Sequence, residues 1–135
     1  MRGAWRVVVA LSVLVPVLAQ AEDMARLELN AAENAENRCR LTFLIENKTS
    51  RAIDTLKLDL ALFNVEGVIQ RRMVTEMGPV RGQRTNVRTF PTEGTCGGIG
   101  SILVNEVTAC APIEPTACMD GLVLSSRVKD VRLYK

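Results

Sequence analysis

The sequence contains no histidine, and aromatic residues make up only 4% of its 135 residues. Without histidine the chain has no Ser-His-Asp or Cys-His catalytic arrangement and lacks the commonest general base. The few aromatic side chains offer little surface on which sugars or nucleic-acid bases could stack. These absences argue against an enzyme, so we expect a non-enzymatic protein that needs no cofactor.

Long apolar runs are also scarce, since the only one lies at the N-terminus. The basic start MRGAWR precedes VVVALSVLVPVLAQA, which ends in Ala19-Gln20-Ala21, the small-x-small pattern that signal peptidase reads. The run is too short to cross a bilayer comfortably. We therefore predict that residues 1–21 form a signal peptide cleaved before Glu22, with no membrane span afterwards. The expected destination is the periplasm or the outside of the cell.

An excess of positive charge is absent once this segment is removed. The chain has 17 Lys and Arg residues against 15 Asp and Glu residues. Arg2 and Arg6 leave with the signal peptide, so basic and acidic residues become equal in number. Binding to nucleic acid or to an anionic membrane rests on an excess of basic charge. We expect no nucleic-acid partner.

In the remaining chain, apolar residues recur with a period of two. In DTLKLDLALFN, Leu56, Leu58, Leu60 and Leu62 alternate with other residues, which gives an extended strand one apolar face. Leucine favours helix by propensity, but the same spacing would scatter these side chains around a helix. CRLTFLIEN alternates in the same way. Further strands are predicted at residues 68–77, 84–90, 99–109 and, at the edge of a sheet, 128–135.

A hairpin should join the DTLKLDLALFN strand to the strand predicted at residues 68–77 through Gly67, because glycine readily takes the positive φ of a tight turn. If the turn pairs Phe63 with Val68, antiparallel register sets Leu58 opposite Met73 and Asp59 opposite Arg72 on the outer face. The same register sets Leu60 opposite Arg71.

Five or six short strands separated by turn signals, with no predicted helix after the signal peptide, indicate an all-β fold. We predict an antiparallel β-sandwich of immunoglobulin-like or related topology over residues 39–135. Residues 22–38, which include NAAENAEN, are predicted to be an N-terminal lead-in with at most one short strand at ARLELN.

Two resemblances support this fold. FLIENKTSRAIDTLKLDLALFNVEGVI resembles the FxLYD-type β-sandwich modules of exported bacterial proteins. The whole chain, with RCRLTFLIEN, MGP, GSILVNEVTAC and LSSRVKDV, resembles small exported proteobacterial proteins of unassigned function. Those proteins are often labelled by a twin-arginine (Tat pathway) signal, which this chain lacks because Arg2 and Arg6 are not adjacent. The resemblances imply a β-sandwich and carry over no catalytic residues.

The four cysteines are Cys39, Cys96, Cys110 and Cys118. In a small exported protein four cysteines form two disulfides, with three connectivities available. In a sandwich of this kind the first and fourth predicted strands should be antiparallel neighbours, which brings Cys96 near Cys39. Cys110 follows the fifth strand, and Cys118 lies eight positions on, across a loop with two prolines. We predict the disulfides Cys39–Cys96 and Cys110–Cys118.

Other uses of sulfur are weaker alternatives. The chain has no C-x-x-C motif, so a thioredoxin-like dithiol is not expected. A structural zinc site would need all four cysteines as thiolates. A copper(I) site could use Met73, Met77 or Met119, although Met73 also suits the inner face of a strand. The alternative function is therefore a periplasmic carrier of copper or of a small ligand.

Asn47-Lys48-Thr49 has the form of a glycosylation sequon. We predict instead that Asn47 turns the chain through its side chain at the end of the first strand.

The remaining surface feature is a group of arginines in the third and fourth predicted strands and their turn. Its members are Arg71, Arg72, Arg81, Arg84 and Arg88. They could form a solvated face with cross-strand pairs such as Asp59 with Arg72. They could also form a docking face for an acidic protein or an anionic envelope component. The predicted function is an exported, non-enzymatic binding or structural module.

Overall fold

The computed structural model describes Gly3, Trp5 and residues 10–16 and 23–135. The predicted signal-peptide cleavage site, before Glu22, lies outside these residues. Residues 10–16 contain no helix or strand. Within the described part of the chain, no helix is long and apolar enough to cross a membrane.

Residues 23–135 form eight strands, a 3₁₀ turn and one short helix. The strands are β1 (Ala25–Ala35), β2 (Arg38–Asn47), β3 (Thr55–Phe63), β4 (Ile69–Glu76), β5 (Thr85–Glu93), β6 (Ser101–Ala111), β7 (Leu122–Ser126) and β8 (Arg132–Tyr134). The 3₁₀ turn covers Cys96–Gly98, between β5 and β6, and the helix α1 covers Pro115–Asp120, between β6 and β7.

The strands form two four-stranded sheets, in the orders β5-β2-β1-β7 and β4-β3-β6-β8. Strand pairs within the sheets are antiparallel, except that β7 joins β1 and β8 joins β6 in parallel. The edge strands β5 and β4 lie on the same side of the molecule, where Arg71 of β4 is ion-paired with Glu93 of β5. The predicted β-sandwich fold is confirmed.

The core lies between the two sheets. Its largest contribution from one strand is the predicted leucine row of β3, in which Leu56, Leu58, Leu60 and Leu62 are each no more than 2% exposed. Facing them from the other sheet are side chains of β1 and β2, including Phe43, which is fully buried. Burial of each such side chain contributes about 1.5–3 kcal/mol to folding. The period of two in the sequence therefore places these leucines correctly.

Both predicted disulfides are present. Cys39 and Cys96 are joined with their Cα atoms 4.9 Å apart, and Cys110 and Cys118 with theirs 6.6 Å apart. β5 pairs antiparallel with β2, as predicted, and this pairing places Cys39 opposite Thr92. The chain leaving β5 then needs only a short turn to reach Cys39.

The prediction of a lead-in over residues 22–38 is wrong. β1 is 11 residues long and lies inside its sheet, between β2 and β7. Its first half follows the alternating pattern, with Leu27 and Leu29 fully buried. A bulge between Leu29 and Ala31 then shifts the register, so the alternation that identifies strands is interrupted there. The folded domain therefore begins well before Cys39.

The C-terminal region also differs from expectation. β7 was not predicted, and it completes the first sheet beside β1. The expectation of no helix is corrected by α1, which begins with Pro115 in its first turn, where a missing N–H costs no hydrogen bond. Of the strand predicted at 128–135, only Arg132–Tyr134 forms one.

The register of the predicted β3–β4 hairpin is wrong by two residues. Leu60 lies opposite Met73 and Leu62 opposite Arg71, with a bulge between Leu62 and Phe63. The loop is one residue longer than predicted, since Phe63 pairs with Ile69, and in it the Asn64 carboxamide oxygen accepts hydrogen bonds from the amides of Glu66 and Val68. Gly67 does adopt a positive φ, of 81°.

Candidate docking site at one end of the sandwich

The five arginines of the predicted docking face are distributed over two strands of different sheets and the loop between them. They were predicted in the third and fourth strands and the turn between them, and these strands, β4 and β5, belong to different sheets and share no hydrogen-bonded ladder. Arg71 and Arg72 lie near the start of β4, whereas Arg81 and Arg84 lie in the loop that leads to β5. Arg88 lies within β5. The contacts of each arginine decide which ones are free to bind a partner.

Arg71 and Arg72 both have carboxylate partners within the molecule. Arg71 Nη2 lies 2.6 Å from Glu93 Oε2, an ion pair that links the two sheets along their edge. Arg72 Nη2 donates a hydrogen bond to Asp59 Oδ2, which also accepts one from Asn105 Nδ2 at 2.9 Å. The predicted contact between Asp59 and Arg72 is therefore present, although the two residues are diagonal neighbours. Neither arginine is an unpaired charge.

Asp59 lies on the outer face of its sheet, but the residue is only 6% exposed. Its carboxyl group is therefore shielded from solvent. The hydrogen bond from Arg72 and then that from Asn105 lower the pKa of Asp59 below its usual value, against the opposing effect of burial. Asp59 is therefore held ionised.

Arg88 also serves the structure of the molecule. Its side chain is half-buried, and Nη2 lies 3.3 Å from the carbonyl oxygen of Gly78 and 3.4 Å from that of Pro79. These bonds connect β5 to the segment that follows β4. The guanidinium therefore bridges the edges of the two sheets.

Arg81 and Arg84 differ from the other three. Both are exposed, and within residues 23–135 neither has a carboxylate oxygen within 4 Å of its side-chain nitrogens. They line an open concave region of about 620 Å³, whose other polar walls include Asp54 and Asn86. Two guanidinium groups on the wall of one concavity can donate paired hydrogen bonds to carboxylates.

Asn47 fixes the loops that carry these arginines. The side chain is buried, and its Oδ1 accepts hydrogen bonds from the amide and the hydroxyl of Thr49, at 2.9 and 2.7 Å. Its Nδ2 donates to the carbonyl oxygens of Arg51, at 2.7 Å, and Val80, at 3.1 Å. Asn47 therefore turns the chain as predicted and joins two loops. A nitrogen buried in this way is not accessible as a glycan acceptor.

The two loops approach each other very closely at Gly82. A Cβ atom at this position would lie 2.3 Å from the carbonyl oxygen of Ser50, so only glycine fits without a backbone shift. Beside it, Gln83 donates its amide N–H to the Thr49 oxygen and its Nε2 to the Lys48 oxygen, each at 2.9 Å. The loop after β2 is thus attached to the loop before β5.

This contact brings in basic residues that sequence reasoning did not include. Lys48 and Arg51 are exposed on the loop after β2, about thirty positions before Arg81 and Arg84. Lys48 is paired with Glu46 at 3.5 Å, but Arg51 has no such partner in residues 23–135. We call the set Lys48, Arg51, Arg81 and Arg84 the basic end. Arg81 and Arg84 belong to the group predicted from sequence, and the predicted turn at Asn47 is the sequence signal next to Lys48 and Arg51.

No observation favours the copper carrier. The sulfurs of all four cysteines are in disulfides, so none is a thiolate ligand. Met77 is buried in the core, while Met73 lies on β4 and Met119 on α1. Among the described residues, no three His, Cys, Asp or Glu side chains are grouped as metal ligands.

Comparison with known proteins gives no further guide. The chain matches no protein-family model, no curated protein and no solved structure.

Proposed function

We propose that this protein is an exported, non-enzymatic binding module whose basic end docks an acidic segment of a protein partner. One observation supports this most directly: Arg81 and Arg84 are exposed and unpaired within the described domain, whereas Arg71, Arg72 and Arg88 all have partners inside the molecule. The loops that carry them are held by Asn47 and by the approach at Gly82. A preorganised site loses less conformational entropy when it binds.

Three observations support export. Two disulfides are typical of proteins that fold in an oxidising compartment. The apolar side chains of Leu11 and Leu14 are 85% and 91% exposed, so they contribute nothing to the core. The N-terminal sequence also has the pattern of a cleaved signal peptide. We place the protein in the periplasm or outside the cell, as the resemblance to exported bacterial modules implies.

The proposal is tested with a decaglutamate peptide and a matched pair of charge reversals. Arg84→Glu and Lys129→Glu change the net charge equally, but Lys129 lies in the exposed turn before β8, outside the basic end. We expect Arg84→Glu to weaken peptide binding by about tenfold, which corresponds to about 1.4 kcal/mol, and Lys129→Glu by less than about twofold. Titration calorimetry at low ionic strength measures both affinities.

Equal effects of the two reversals would show that the peptide senses only net charge and would remove the basic end as a site. A protein that binds vesicles of anionic phospholipid through Arg84 but ignores the peptide would have an envelope lipid as its partner instead. Both outcomes contradict the proposal. Thermal unfolding of each variant provides the control for folding.

A further inference from the structure

β5 has an edge with unused main-chain groups. The amide of Asn47 donates to the carbonyl oxygen of Arg84 at 2.9 Å, and the pairing of β2 with β5 continues from there without a bulge. In an antiparallel pair, alternate residues exchange hydrogen bonds with the neighbour and the others point away from it. The main-chain groups of Thr85, Val87 and Thr89 therefore point away from β2, towards the open edge.

No other strand of residues 23–135 pairs with this edge of β5. Thr85, Val87 and Thr89 are all exposed, and within residues 23–135 no other backbone group bonds to their amides. The carbonyl oxygen of Val87 has only a long contact, 3.5 Å, with Nη1 of Arg88. An exposed edge with unpaired donors and acceptors is a template for an added strand.

The side chains along this edge form a surface that an extended peptide could cover. Val87 is 59% exposed and pairs across the strands with half-buried Leu44. Next to it, the hydroxyls of Thr89 and Thr42 lie 3.2 Å apart on the same face. A strand beside β5 would cover the apolar pair and place hydroxyl-bearing or β-branched residues beside the threonines.

The two ends of the edge are different. Pro91, which also points outwards, has no N–H, so the row of donors stops there. At the other end, Thr85 follows Arg84 directly, and the basic end begins. Pro91 would therefore limit the register of a bound strand at one end. At the other end the strand would lie beside the unpaired positive charge of Arg84.

We propose that an extended segment of an acidic protein partner adds to β5 as an antiparallel strand. This inference rests on the proposed function and states how the partner binds. Antiparallel strands outnumber parallel ones by about two to three to one. Because β5 runs from Thr85 to Glu93, an antiparallel strand ends beside Arg84, so its acidic residues are at its C-terminal end. Thr85 to Thr89 is long enough for a strand of ordinary length.

The probe for this mode is the capped peptide Val-Thr-Val-Thr-Val-Glu-Glu. We expect the amides of Thr85, Val87 and Thr89 to exchange with solvent at least about tenfold more slowly when it is bound, since each gains a hydrogen bond. The amides of Asn86 and Arg88 already point towards β2 and serve as internal controls. NMR-detected hydrogen exchange measures all five. Absence of protection at saturating peptide would overturn the proposal.

A matched pair of peptides separates backbone from side-chain recognition. N-methylation of alternate residues removes the amide donors on one edge of the peptide and leaves every side chain and charge in place. Of the two methylation patterns, we expect one to weaken binding by about tenfold or more, because the hydrogen bonds that its amides donate to β5 are lost. If both methylated peptides bind as tightly as the parent, strand addition is wrong.

Variants of the protein give the complementary test. Val87→Pro removes an outward-pointing amide and no bond to β2, whereas Val87→Ala keeps the amide and removes the side chain. We expect Val87→Pro to weaken binding of the heptapeptide by about tenfold and Val87→Ala by less than about threefold. The methylated peptides still decide the question if Val87→Pro fails to fold.

The outcomes distinguish this inference from the proposed function. If Arg84→Glu weakens binding while Val87→Pro and N-methylation do not, the basic end binds acidic partners without strand addition. If Arg84→Glu has no effect on either acidic peptide, the proposed function itself fails. Light scattering that finds a dimer whose β5 amides are protected without peptide would assign the edge to a second copy of this chain and overturn the inference.

Discussion

Asp59 lies on the outer face of β3, and its carboxylate is held there by two side chains of the same sheet. It accepts hydrogen bonds from Arg72 and Asn105, which lie on the two strands that flank β3. The residue therefore links three strands of one sheet. Because both bonds favour the ionised form, the pKa of Asp59 is lowered, and ionisation of Asp59 stabilises the folded state.

The direction of this shift gives a pH-dependent prediction for Asp59→Asn. The contribution of the wild-type carboxylate is complete above its unfolded pKa, near 4, and is lost as the pH falls through the lower folded pKa. At pH 7 we expect Asp59→Asn to reduce the free energy of unfolding by about 1 kcal/mol, and the difference to shrink below pH 4. Urea denaturation at both pH values measures it.

Asp54→Asn is the matched control, because Asp54 is exposed and has no ion pair within residues 23–135. It should change stability by less than about 0.5 kcal/mol at either pH. A difference between wild type and Asp59→Asn that grew on acidification would contradict the assigned direction of the pKa.

At the scale of elements, the two disulfides fasten different parts of the sandwich. Cys39–Cys96 joins the start of β2 to the 3₁₀ turn before β6 and spans 57 positions. Cys110–Cys118 joins the end of β6 to α1 and spans 8. A longer closed loop restricts the unfolded chain more, by roughly 4 kcal/mol for the first and about 2–3 for the second in the chain-entropy treatment.

We therefore predict that replacing both Cys39 and Cys96 with alanine destabilises the domain more than the same change at Cys110 and Cys118. Guanidinium denaturation of the two double variants measures the difference. The single change Cys39→Ser should also leave one thiol, on Cys96, that reacts with maleimide. Equal losses of stability in the two double variants would show that native packing, rather than loop length, dominates.

Sequence periodicity predicted the elements wherever it ran unbroken, and failed where local geometry interrupted it. The period of two was enough by itself to predict that the leucines of β3 lie on one buried face. β1 was underestimated because its bulge after Leu29 places polar and small residues where alternation expects apolar ones. β7 is only five residues long and pairs in parallel with a strand near the other end of the chain, so no local pattern identifies it.

The candidate site was also only partly predictable, because it depends on contacts between residues that are distant in sequence. Arg81 and Arg84 belong to the predicted group, but nothing in their sequence context separates them from Arg71 and Arg72, whose carboxylate partners are distant in sequence. Only the packing of the two sheets shows which charges are neutralised. Arg51 joins the basic end through contacts between loops, which periodicity does not encode.

At the scale of the whole molecule, removal of the signal peptide and formation of both disulfides predict a defined mass. We expect the protein recovered from the periplasm or medium to begin at Glu22 and to carry no free thiol. Alkylation before reduction should add no mass, and alkylation after reduction should modify all four cysteines. Intact mass spectrometry checks both statements. A recovered chain that begins at Met1 would contradict the predicted signal peptide.

The parallel pairing of β7 with β1 has a consequence for the order in which the protein can be made. Ala25 lies beside Leu122, so one edge of β1 has no neighbour until β7 has left the ribosome. The second sheet likewise waits for β8. Contacts between such distant residues form slowly. Neither sheet is complete until β7 and β8 have been made, so a chain threaded through a secretion channel before that point would not yet have its native fold.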